Sequence, residues 1–375
     1  MTIYLDHNAT TPVLPEVVDA MLPYLREHFG NPSSGHEFGR RAKAAVDNAR
    51  AQLASLINAE PDEIVFTATG TEANNLAIKG VMATSRRKGL ITSVIDHPAT
   101  LSTCRELSSS VKLTVLPVSA SGRVDLEAAR GAVSEETALI TLMHSNNETG
   151  VLQPIAEVGA LAQQHGALFH VDGAQSVGKV PVDVRALHAD LLSIVGHKFY
   201  APKGIGALFV RRGVALKPLA QGGGQERHLR PGTENVPHIV AIGAAAARAQ
   251  RDLREEGERQ SRLRDELYRL LREQIPGLAL NGDGAERLPN TLNVRFPNAR
   301  GSRVLELAPE LAASTGAACH DGGESASSII TAMGVSAGEA IGSVRLSLGR
   351  STTGEEVKVA AGALVRAWRS AHGER

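Results

Sequence analysis

Two features of the sequence predict an α/β fold with a mostly parallel sheet. The first is a series of short apolar runs rich in β-branched residues, which is typical of strands buried on both faces. The second is that stretches with helical spacing, such as "GTEANNLAIKGVM", follow these runs, and this alternation favours parallel strands joined by helices. The predicted strands cover residues 63–68, 90–95, 138–143, 167–172, 190–196 and 206–212.

The predicted strands end in polar, glycine-rich or histidine-bearing sequence. The segments that follow them include "GTEANN", "HPATLS", "HSNNETG", "GAQSVG" and "HKFYAPKG". In open α/β sheets, ligands bind at the carboxyl ends of the strands. We therefore expect these segments to meet in one site.

A long charged segment divides the sequence into two parts. Residues 248–275 carry leucines at helical spacing and charges elsewhere, which predicts a long, solvent-exposed helix. The later segments "LPNTLNVRF" and "SVRLSLGRSTTGEEV" are typical of a second, smaller α/β domain. We predict a large domain over 16–250 and a small domain formed by 1–15 and 251–375, with a cysteine-bearing loop at about 314–326.

Composition argues against several classes of protein. The 375 residues include 40 Lys and Arg and 40 Asp and Glu, so no basic excess indicates nucleic-acid binding. No apolar run approaches the roughly 20 residues of a membrane span, and the start "MTIYLDHNATTP" lacks the layout of a signal peptide. Two cysteines cannot form a disulfide framework or a Cys-rich zinc site. We therefore expect a cytoplasmic protein that binds neither membrane, nucleic acid nor metal.

A lysine and an aspartate at strand ends are the first candidate pair. Lys198 follows an apolar strand, where a lysine can lose its proton more easily and form a Schiff base with a carbonyl. Asp172 ends another strand, and a buried carboxylate needs a cationic partner, such as the protonated ring nitrogen of pyridoxal phosphate. Taken alone, Lys198 also fits an ordinary surface lysine, and Asp172 also fits a helix cap or a salt bridge.

Two further segments supply an anion site and a candidate for stacking on a ring. Gly70 and Thr71 follow a strand and begin a helix, where backbone N–H groups and the helix dipole favour a phosphate, although a plain helix cap has the same sequence. His97 follows the next strand and could stack on a ring, or could be structural. Gln175 and Asn147 are polar groups at other strand ends.

Together these residues form one set, and at this point the chain resembles the class V aminotransferase-fold pyridoxal phosphate enzymes, and within them the cysteine desulfurases. The resemblance covers essentially the whole chain. It implies a fold type I structure, with a large domain built on a mostly parallel seven-stranded sheet and a smaller α/β domain. Its motifs are "YLDHNATTP", "GNPSS", "FTATGTEANNLAIKG", "NNETG", "HVDGAQSVGK", "GHKFYAPKGIGALFVR", "GGGQERHLRPGTEN", "LPNTLNV", "STGAACH" and "VRLSLGRSTT".

The resemblance implies a role for each candidate residue. Lys198 of "GHK" holds the cofactor, pyridoxal 5'-phosphate, as a Schiff base, and Asp172 of "HVD" pairs with its pyridine nitrogen. Gln175 of "GAQ" hydrogen-bonds the ring hydroxyl, and His97 stacks on the ring and moves protons. Gly70, Thr71 and His197 bind the phosphate, and Thr233 binds it across a homodimer interface. Asn147 lies beside cofactor and substrate, and Arg345 binds the substrate carboxylate.

The resemblance also implies the reaction. Cys319, in the stretch "LAASTGAACHDGGESAS", is the nucleophile that takes sulfur from L-cysteine, leaving L-alanine and a persulfide for an acceptor protein such as an iron–sulfur scaffold or a sulfur carrier. Gly316 and the later glycines give this segment freedom to reach the cofactor and the acceptor. His320 either assists thiolate formation or is merely solvated. Cys104, on a predicted helix, is expected to be inert.

One position departs from the pattern of many family members, which carry a serine as a phosphate ligand before "GHK". Val195 occupies that place in this sequence. Ser193 lies two residues earlier and would point to the same face of a strand. Two alternatives therefore remain: the phosphate is held with one hydroxyl fewer, or Ser193 supplies the hydroxyl.

Other functions were weighed against the desulfurase. Selenocysteine lyase shares most of the site motifs, including the valine before "GHK", and the desulfurase is favoured because sulfur transfer is the commoner role in this fold family. A lyase of cysteine or cystine without a persulfide is a weaker option. A non-catalytic scaffold would be expected to lack Lys198, Asp172 or Cys319, and all three are present. A nicotinamide dehydrogenase would be expected to carry a G-x-G-x-x-G motif after an early strand, and the sequence has none there.

Overall fold

The computed structural model describes residues 2–316 and 325–373. Its strands are, in chain order, β1 (Ile3–Tyr4), β2 (Ile64–Thr67), β3 (Gly89–Ser93), β4 (Lys112–Leu116), β5 (Thr137–Met143), β6 (Leu168–Asp172), β7 (Leu191–Val195), β8 (Gly206–Val210), β9 (Ala279–Leu280), β10 (Thr291–Arg295), β11 (Leu311–Ala312) and β12 (Ser343–Ser347). Its helices are α1 (Pro15–Arg26), α2 (Glu37–Leu56), α3 (Gly70–Thr84), α4 (Pro98–Leu107), α5 (Leu126–Ala132), α6 (Ile155–Gln164), α7 (Val236–Gln274), α8 (Gly301–Glu306), α9 (Ser328–Ala332), α10 (Ala337–Ala340) and α11 (Gly354–Gly373).

The largest sheet of the described residues has seven strands in the order β2-β8-β7-β6-β5-β3-β4. The strands from β7 to β4 pair in parallel, and β8 alone runs antiparallel to its neighbours β7 and β2. This confirms the predicted α/β fold with a mostly parallel sheet of seven strands. Because β2, β3, β5, β6 and β7 point the same way, their carboxyl ends meet at one edge, where ligands of such sheets bind.

The six strands predicted from apolar runs are all present, and β4 is a strand that the pattern did not predict. It lies at the edge of the sheet, pairs with β3 only, and leaves Lys112 and Val115 exposed. An edge strand is less buried than a central strand and can therefore carry polar residues. For this reason the apolar pattern of β4 is weak.

Two apolar cores cover the two faces of this sheet. Ile140 and Phe169 pack with α2, α6 and the first part of α7 on one face, while Leu139 and Leu208 pack with α3 and α4 on the other. Leu139 and Ile140 are neighbours in β5 and belong to different cores, as the alternation of side chains along a strand requires. Both faces of the sheet are therefore buried, so a ligand can approach the sheet only at the ends of its strands.

The long helix α7 begins earlier than the sequence pattern predicted. The predicted segment 248–275 is its charged second part, and the alanine-rich first part from Val236 packs in the large core. The helix is interrupted at Asp252, where φ is −129°, and the Asp252 carboxylate pairs with Arg350 at 2.6 and 2.7 Å. Because the first part is mostly buried and rich in alanine, it lacks the spacing of leucines and charges that predicts the second part.

A separate apolar core lies around the end of α7. It joins Leu267 and Leu271 of α7 with Val294 of β10, Leu346 of β12 and Leu364 of α11. Strands β9, β10 and β12 form an antiparallel sheet here, and β1 pairs in parallel with β11. The predicted domain boundaries at residues 15 and 250 stay a prediction. Among the described residues, no helix has both the length and the apolar character needed to cross a bilayer.

Candidate active site

A cavity of about 490 Å³ lies at the carboxyl edge of the seven-stranded sheet. Segments that follow β2, β3, β5, β6 and β7 line it, and one residue of β12 reaches it from the smaller antiparallel sheet. The sequence-predicted residues that it brings together are Gly70, Thr71, His97, Asn147, Asp172, Gln175, His197, Lys198 and Arg345.

Lys198 is the last residue of a short 3₁₀ turn that follows β7. Its Nζ donates to the backbone carbonyl oxygens of Asn8 and Ala9, both at 2.7 Å. Burial, with the Arg345 guanidinium adding to it, lowers the pKa of Lys198 from 10.5 to about 8. An amine with such a pKa is partly unprotonated near neutral pH and can attack a carbonyl.

Asp172 ends β6 and faces the cavity with a fixed orientation. Its Oδ2 accepts from Asn74 Nδ2 at 2.7 Å, and its Oδ1 accepts from the backbone N–H of Ala174 at 3.0 Å. Asn74 lies on α3, one turn after Thr71, and also bonds Thr100 Oγ1 at 3.1 Å. The sequence analysis did not single out Asn74. Its spacing of three residues from Thr71 was the available signal, because residues three apart share a helix face.

The start of α3 forms a tight anion cradle. Thr69 caps the helix by accepting from the backbone N–H of Glu72 at 3.0 Å. The N–H groups of Gly70 and Thr71, at the start of the helix, have no carbonyl partner within it. A Cβ on Gly70 would lie 2.3 Å from Val195 Cγ2, so glycine is the residue that leaves room between α3 and β7. An unpartnered helix N-terminus with close backbone approach is suited to a phosphate.

His197 and His97 border the cavity from two sides. Burial, together with the neighbouring cation of Lys198, lowers the pKa of His197 to about 4, and its Nδ1 lies 3.1 Å from Thr10 Oγ1. His97 caps α4, because its Nδ1 accepts from the backbone N–H of Ala99 at 3.1 Å. Burial also lowers the pKa of His97, with Asp172 opposing the shift. A neutral His97 that accepts at Nδ1 carries its proton on Nε2.

Arg345 and Asn147 present unused polar atoms. Arg345 donates through its terminal nitrogens to the Asn147 carbonyl oxygen at 3.0 Å and to Asp6 Oδ1 at 2.7 Å. Within the described residues, Arg345 Nε and Asn147 Oδ1 are buried and have no hydrogen-bond partner. Such groups are costly to leave unsatisfied, which indicates that a ligand completes them.

Asn8 connects many of these groups and was missed as an individual residue. Its carbonyl oxygen accepts from Gln175 Nε2 at 2.9 Å as well as from Lys198. Its side chain bonds Thr291 Oγ1 at 2.8 Å and Asn290 Nδ2 at 3.0 Å. The available signal was its place in "DHNATTP", where a buried Asn beside a turn would need several partners.

Two sequence-predicted residues lie elsewhere. Thr233 is exposed and does not line the cavity, so its role across a homodimer interface stays a prediction. Ser193 is fully buried, and its hydroxyl shares a hydrogen bond of 2.9 Å with His170 Nε2. The other ring nitrogen of His170, Nδ1, lies 2.7 Å from Thr141 Oγ1. The serine hydroxyl is therefore occupied below the cavity, and Val195 is the residue of β7 that lines it. This position gives no support to Ser193 as a phosphate ligand.

Of the two cysteines, the structure describes Cys104 but not Cys319. Cys319 and its neighbour His320 lie outside the described residues. Cys104 is fully buried, and burial, with Asp96 adding to it, raises the pKa of its thiol to about 12. A thiol with such a pKa is not a nucleophile at neutral pH, in agreement with the inert role predicted for it.

Glu148, another residue that the sequence analysis passed over, contacts residues on both sides of the cysteine-bearing segment. Its Oε2 accepts from Ser327 Oγ at 2.6 Å, and a Cβ on Gly316 would lie 3.1 Å from the same oxygen. Burial raises the pKa of Glu148, with the Ser327 hydrogen bond opposing the shift.

The donor set fits pyridoxal phosphate. A buried carboxylate, Asp172, suits the protonated ring nitrogen, and the helix start at Gly70 suits the phosphate. An amine of lowered pKa, Lys198, suits the aldehyde. The unsatisfied atoms of Asn147 and Arg345 leave polar groups for an amino acid substrate.

Comparison with known proteins identifies the family. The Aminotransferase class-V family model matches residues 3–359. A protein named cysteine desulfurase from Trichormus azollae is 45% identical over 359 residues, which cover 95% of this chain and 90% of the relative. A protein named cysteine desulfurase IscS from Methanosarcina thermophila is 46% identical over 360 residues, covering 95% and 89%.

Solved structures agree with these relatives. A structure described as a NifS-like protein superposes with a TM-score of 0.92 at 36% identity, covering 99% of this chain and 100% of that chain. A NifS-like protein from Rickettsia africae gives a TM-score of 0.88 at 31% identity, covering 98% and 100%. The chain belongs to the aminotransferase class-V family.

Proposed function

We propose that this protein is a pyridoxal phosphate-dependent cysteine desulfurase. It converts L-cysteine into L-alanine and transfers the sulfur to Cys319 as a persulfide. The observation that carries the proposal is that Lys198 and Asp172 face one cavity in a chain whose relatives at 45% identity are named cysteine desulfurase. The bound cofactor would supply an electron sink for the substrate's α-carbon.

The residues around the cavity divide the task of holding the cofactor. Lys198 Nζ would bind its aldehyde, and Asp172 would keep the ring nitrogen protonated because a buried carboxylate favours a cation beside it. Gly70, Thr71 and His197 would hold the phosphate, and Gln175 would donate to the ring hydroxyl. His97 would help to exclude water from the cofactor.

Lys198 and His97 are also the groups that move protons. Lys198 Nζ would accept and return a proton at the substrate, and its pKa of about 8 places this exchange near neutral pH. His97 carries a proton on Nε2 and can supply it toward the substrate.

Arg345 and Asn147 select an amino acid substrate. The Arg345 guanidinium is held by Asp6 and by the Asn147 carbonyl oxygen, and its Nε is left for the substrate carboxylate. Asn147 Oδ1 is the neighbouring unsatisfied acceptor.

Cys319 completes the reaction. Its thiolate attacks the substrate sulfur, the carbon–sulfur bond breaks, and the released carbon takes a proton to become alanine. The sulfur remains on Cys319 as a persulfide, so the enzyme thiol plus cysteine yields the enzyme persulfide plus alanine, with atoms and electrons balanced. An acceptor protein, either an iron–sulfur scaffold or a carrier for thio-cofactor or tRNA synthesis, then removes the sulfur. We propose that the enzyme acts in the cytoplasm as a homodimer in which Thr233 of each copy reaches the other's phosphate.

A paired turnover assay tests this function. Purified protein that shows the absorbance band of bound pyridoxal phosphate is given L-cysteine or L-selenocysteine, and alanine is measured for the wild type and for Cys319→Ala. The proposal predicts cysteine turnover that Cys319→Ala abolishes, with Cys104→Ala as the matched control that retains it.

Two outcomes would contradict the desulfurase. If selenocysteine alone is a good substrate and Cys319→Ala still processes it, the enzyme is a selenocysteine lyase. If the protein binds no pyridoxal phosphate, it is a scaffold that keeps the fold without the chemistry.

A further inference from the structure

Lys179 lies in the turn after β6, four residues beyond Gln175, and this half-buried side chain places its Nζ behind the cavity. Its Nζ donates to Gln175 Oε1 at 2.8 Å and to Asn8 Oδ1 at 3.0 Å. Both partners are neutral amide oxygens. The residue itself does not line the cavity described above, so it acts from behind the residues that do.

The surroundings of Lys179 are unfavourable for a cation. Burial, with the positive charges of Lys198 and Arg345 adding to it, holds the pKa of Lys179 well below its usual range. A buried cation without a charged partner is costly unless its hydrogen bonds are needed. Charged or neutral, Nζ carries at least two N–H groups, which is enough to donate to both amide oxygens.

The bond from Lys179 fixes the orientation of the Gln175 amide. The Asn8 carbonyl oxygen only accepts, so Gln175 must turn Nε2 toward it, and they lie 2.9 Å apart. Gln175 Oε1 then points away and requires a donor, which Lys179 supplies. Nε2 has a second N–H, and because Gln175 lines the cavity, this N–H is the one available to a ligand there.

The same lysine fixes the Asn8 amide. Asn8 Oδ1 accepts from Lys179 and from Asn290 Nδ2, each at 3.0 Å, so its Nδ2 is left to donate to Thr291 Oγ1 at 2.8 Å. With its side chain held on both ends, Asn8 keeps its carbonyl oxygen in place between Gln175 and Lys198. One buried amine therefore controls two groups of the site.

We propose that Lys179 is a positioning residue that holds the amides of Gln175 and Asn8, so that Gln175 presents an N–H to the ring oxygen of the cofactor and the Asn8 carbonyl orients Lys198. The inference rests on the proposed function, because it needs pyridoxal phosphate in the cavity. It assigns a role to a side chain that touches neither the substrate nor the cofactor.

The test measures the affinity of the full-length, cofactor-free protein for pyridoxal phosphate, by titration of the absorbance band of the bound form. Lys179→Met keeps the length of the side chain and removes its donors. We expect the dissociation constant to rise by roughly tenfold, the effect of one misplaced hydrogen bond. Val177→Ala is the matched control, since it removes buried methyl groups from the same turn without touching these bonds.

A double-mutant comparison separates positioning from a general structural effect. If Lys179 acts through Gln175, Lys179→Met adds little to the loss of affinity already caused by Gln175→Leu. If Lys179 were needed only for folding, Lys179→Met would lower the unfolding temperature, as expected for Val177→Ala, and would leave the affinity of the folded protein unchanged. Losses that multiply in full in the double variant would overturn the route through Gln175, and an unchanged affinity in Lys179→Met would overturn the whole inference.

Gln175→Glu provides a second variant in case Lys179→Met does not fold. The new carboxylate can pair with Lys179, but it loses the N–H that faces the Asn8 carbonyl oxygen and the N–H available to the cofactor, so pyridoxal phosphate binding should weaken. Wild-type affinity in this variant would overturn the inference alone. A wild-type protein that binds no pyridoxal phosphate would overturn the proposed function and the inference together, so the two failures are distinguishable.

Discussion

The apolar runs of β3 and β6 each lead to a buried aspartate, but the two carboxylates use their oxygens differently. Asp96, after β3, accepts four hydrogen bonds. Thr92 Oγ1 at 2.8 Å, Ser93 N at 2.8 Å and Ser93 Oγ at 3.0 Å bond Oδ2, and Met143 N at 2.7 Å bonds Oδ1. Asp172, at the end of β6, accepts two, from Asn74 and from the backbone of Ala174.

The difference separates a structural carboxylate from one that can bind a ligand. A carboxylate has about four acceptor positions, so Asp96 is filled by its own neighbours while Asp172 keeps capacity on its cavity side. Asp96 ties β3 to the end of β5 and thereby fixes the turn that carries His97. Counting hydrogen bonds distinguishes these two residues, whereas their sequence contexts, "VID" and "HVD", are nearly the same.

The largest effect is expected for Asp172→Asn. The substitution removes the negative charge beside the cofactor's ring nitrogen, and turnover of L-cysteine should fall by roughly 10²- to 10³-fold. Stability should change little, because Asn74 has an unpartnered Oδ1 and can turn its amide toward the new side chain. The measurement is kcat/KM for alanine formation together with the unfolding temperature. Near wild-type turnover would contradict the assignment of Asp172 as the carboxylate that binds the cofactor.

Asp96→Asn should show the opposite pattern. Backbone N–H groups of Ser93 and Met143 face both carboxylate oxygens, so the new NH2 group must point at a donor that cannot move. The free energy of unfolding should fall by about 2 kcal/mol, the usual cost of such a mismatch. Urea unfolding measures it, and turnover by the folded fraction should stay close to wild type. A large loss of turnover without a loss of stability would contradict the structural role.

The effect of Asp96 on stability should depend on pH. Burial raises its pKa from 3.8 to about 6, so the folded protein binds this proton more tightly than the unfolded chain does. The stability that the group contributes is therefore complete below about pH 4 and is lost as the pH rises through about 6. The difference in unfolding free energy between the wild type and Asp96→Asn should narrow across that interval. A difference that widens would show that the pKa is lowered instead.

A smaller effect is expected where glycine leaves room for the phosphate. Gly70→Ala would place a Cβ 2.3 Å from Val195 Cγ2, which forces α3 and β7 apart. Affinity for pyridoxal phosphate should fall by roughly tenfold, as expected for overpacking. Val195→Ala added to Gly70→Ala should restore part of it. Gly131→Ala is the matched control, because nothing lies within 4 Å of its added Cβ.

The smallest effect is expected for Ser193→Ala. The Ser193 hydroxyl bonds His170 below the cavity, so its loss should cost about 1 kcal/mol of stability. Cofactor affinity should remain within about twofold of wild type, because this energy belongs to a bond away from the cavity. A clear loss of affinity in the titration would return Ser193 to the phosphate site.

The sheet and most of the cavity could be predicted from the sequence because an apolar run followed by polar residues marks the end of a strand. Apolar runs mark β2, β5 and β7, and the polar residues after them converge through the topology of a parallel sheet. The residues that it missed are those whose importance lies in long-range contacts. Asn8 bonds groups more than 160 residues away, and no local pattern specifies those partners.

Ser193 shows the other limit of sequence reasoning. Alternation along a strand correctly puts Ser193 and Val195 on one face, but depth along the strand decides which of them reaches the cavity. His170, on the neighbouring strand β6, bonds the serine hydroxyl instead, and Thr141 of β5 bonds the other ring nitrogen of His170. Such competition between neighbours can be read only once the register of the strands is known.

The central claim is that Lys198 binds an aldehyde cofactor in this cavity, and reduction with borohydride tests it most directly. Lys179 and Lys203 are the competing amines, since Lys179 also has a lowered pKa and Lys203 also borders the cavity. The holoprotein is reduced, digested and mapped by mass spectrometry. The account predicts a pyridoxyl group on Lys198 and none on the other two lysines. A label on Lys179 or Lys203, or no label in protein saturated with pyridoxal phosphate, would contradict it.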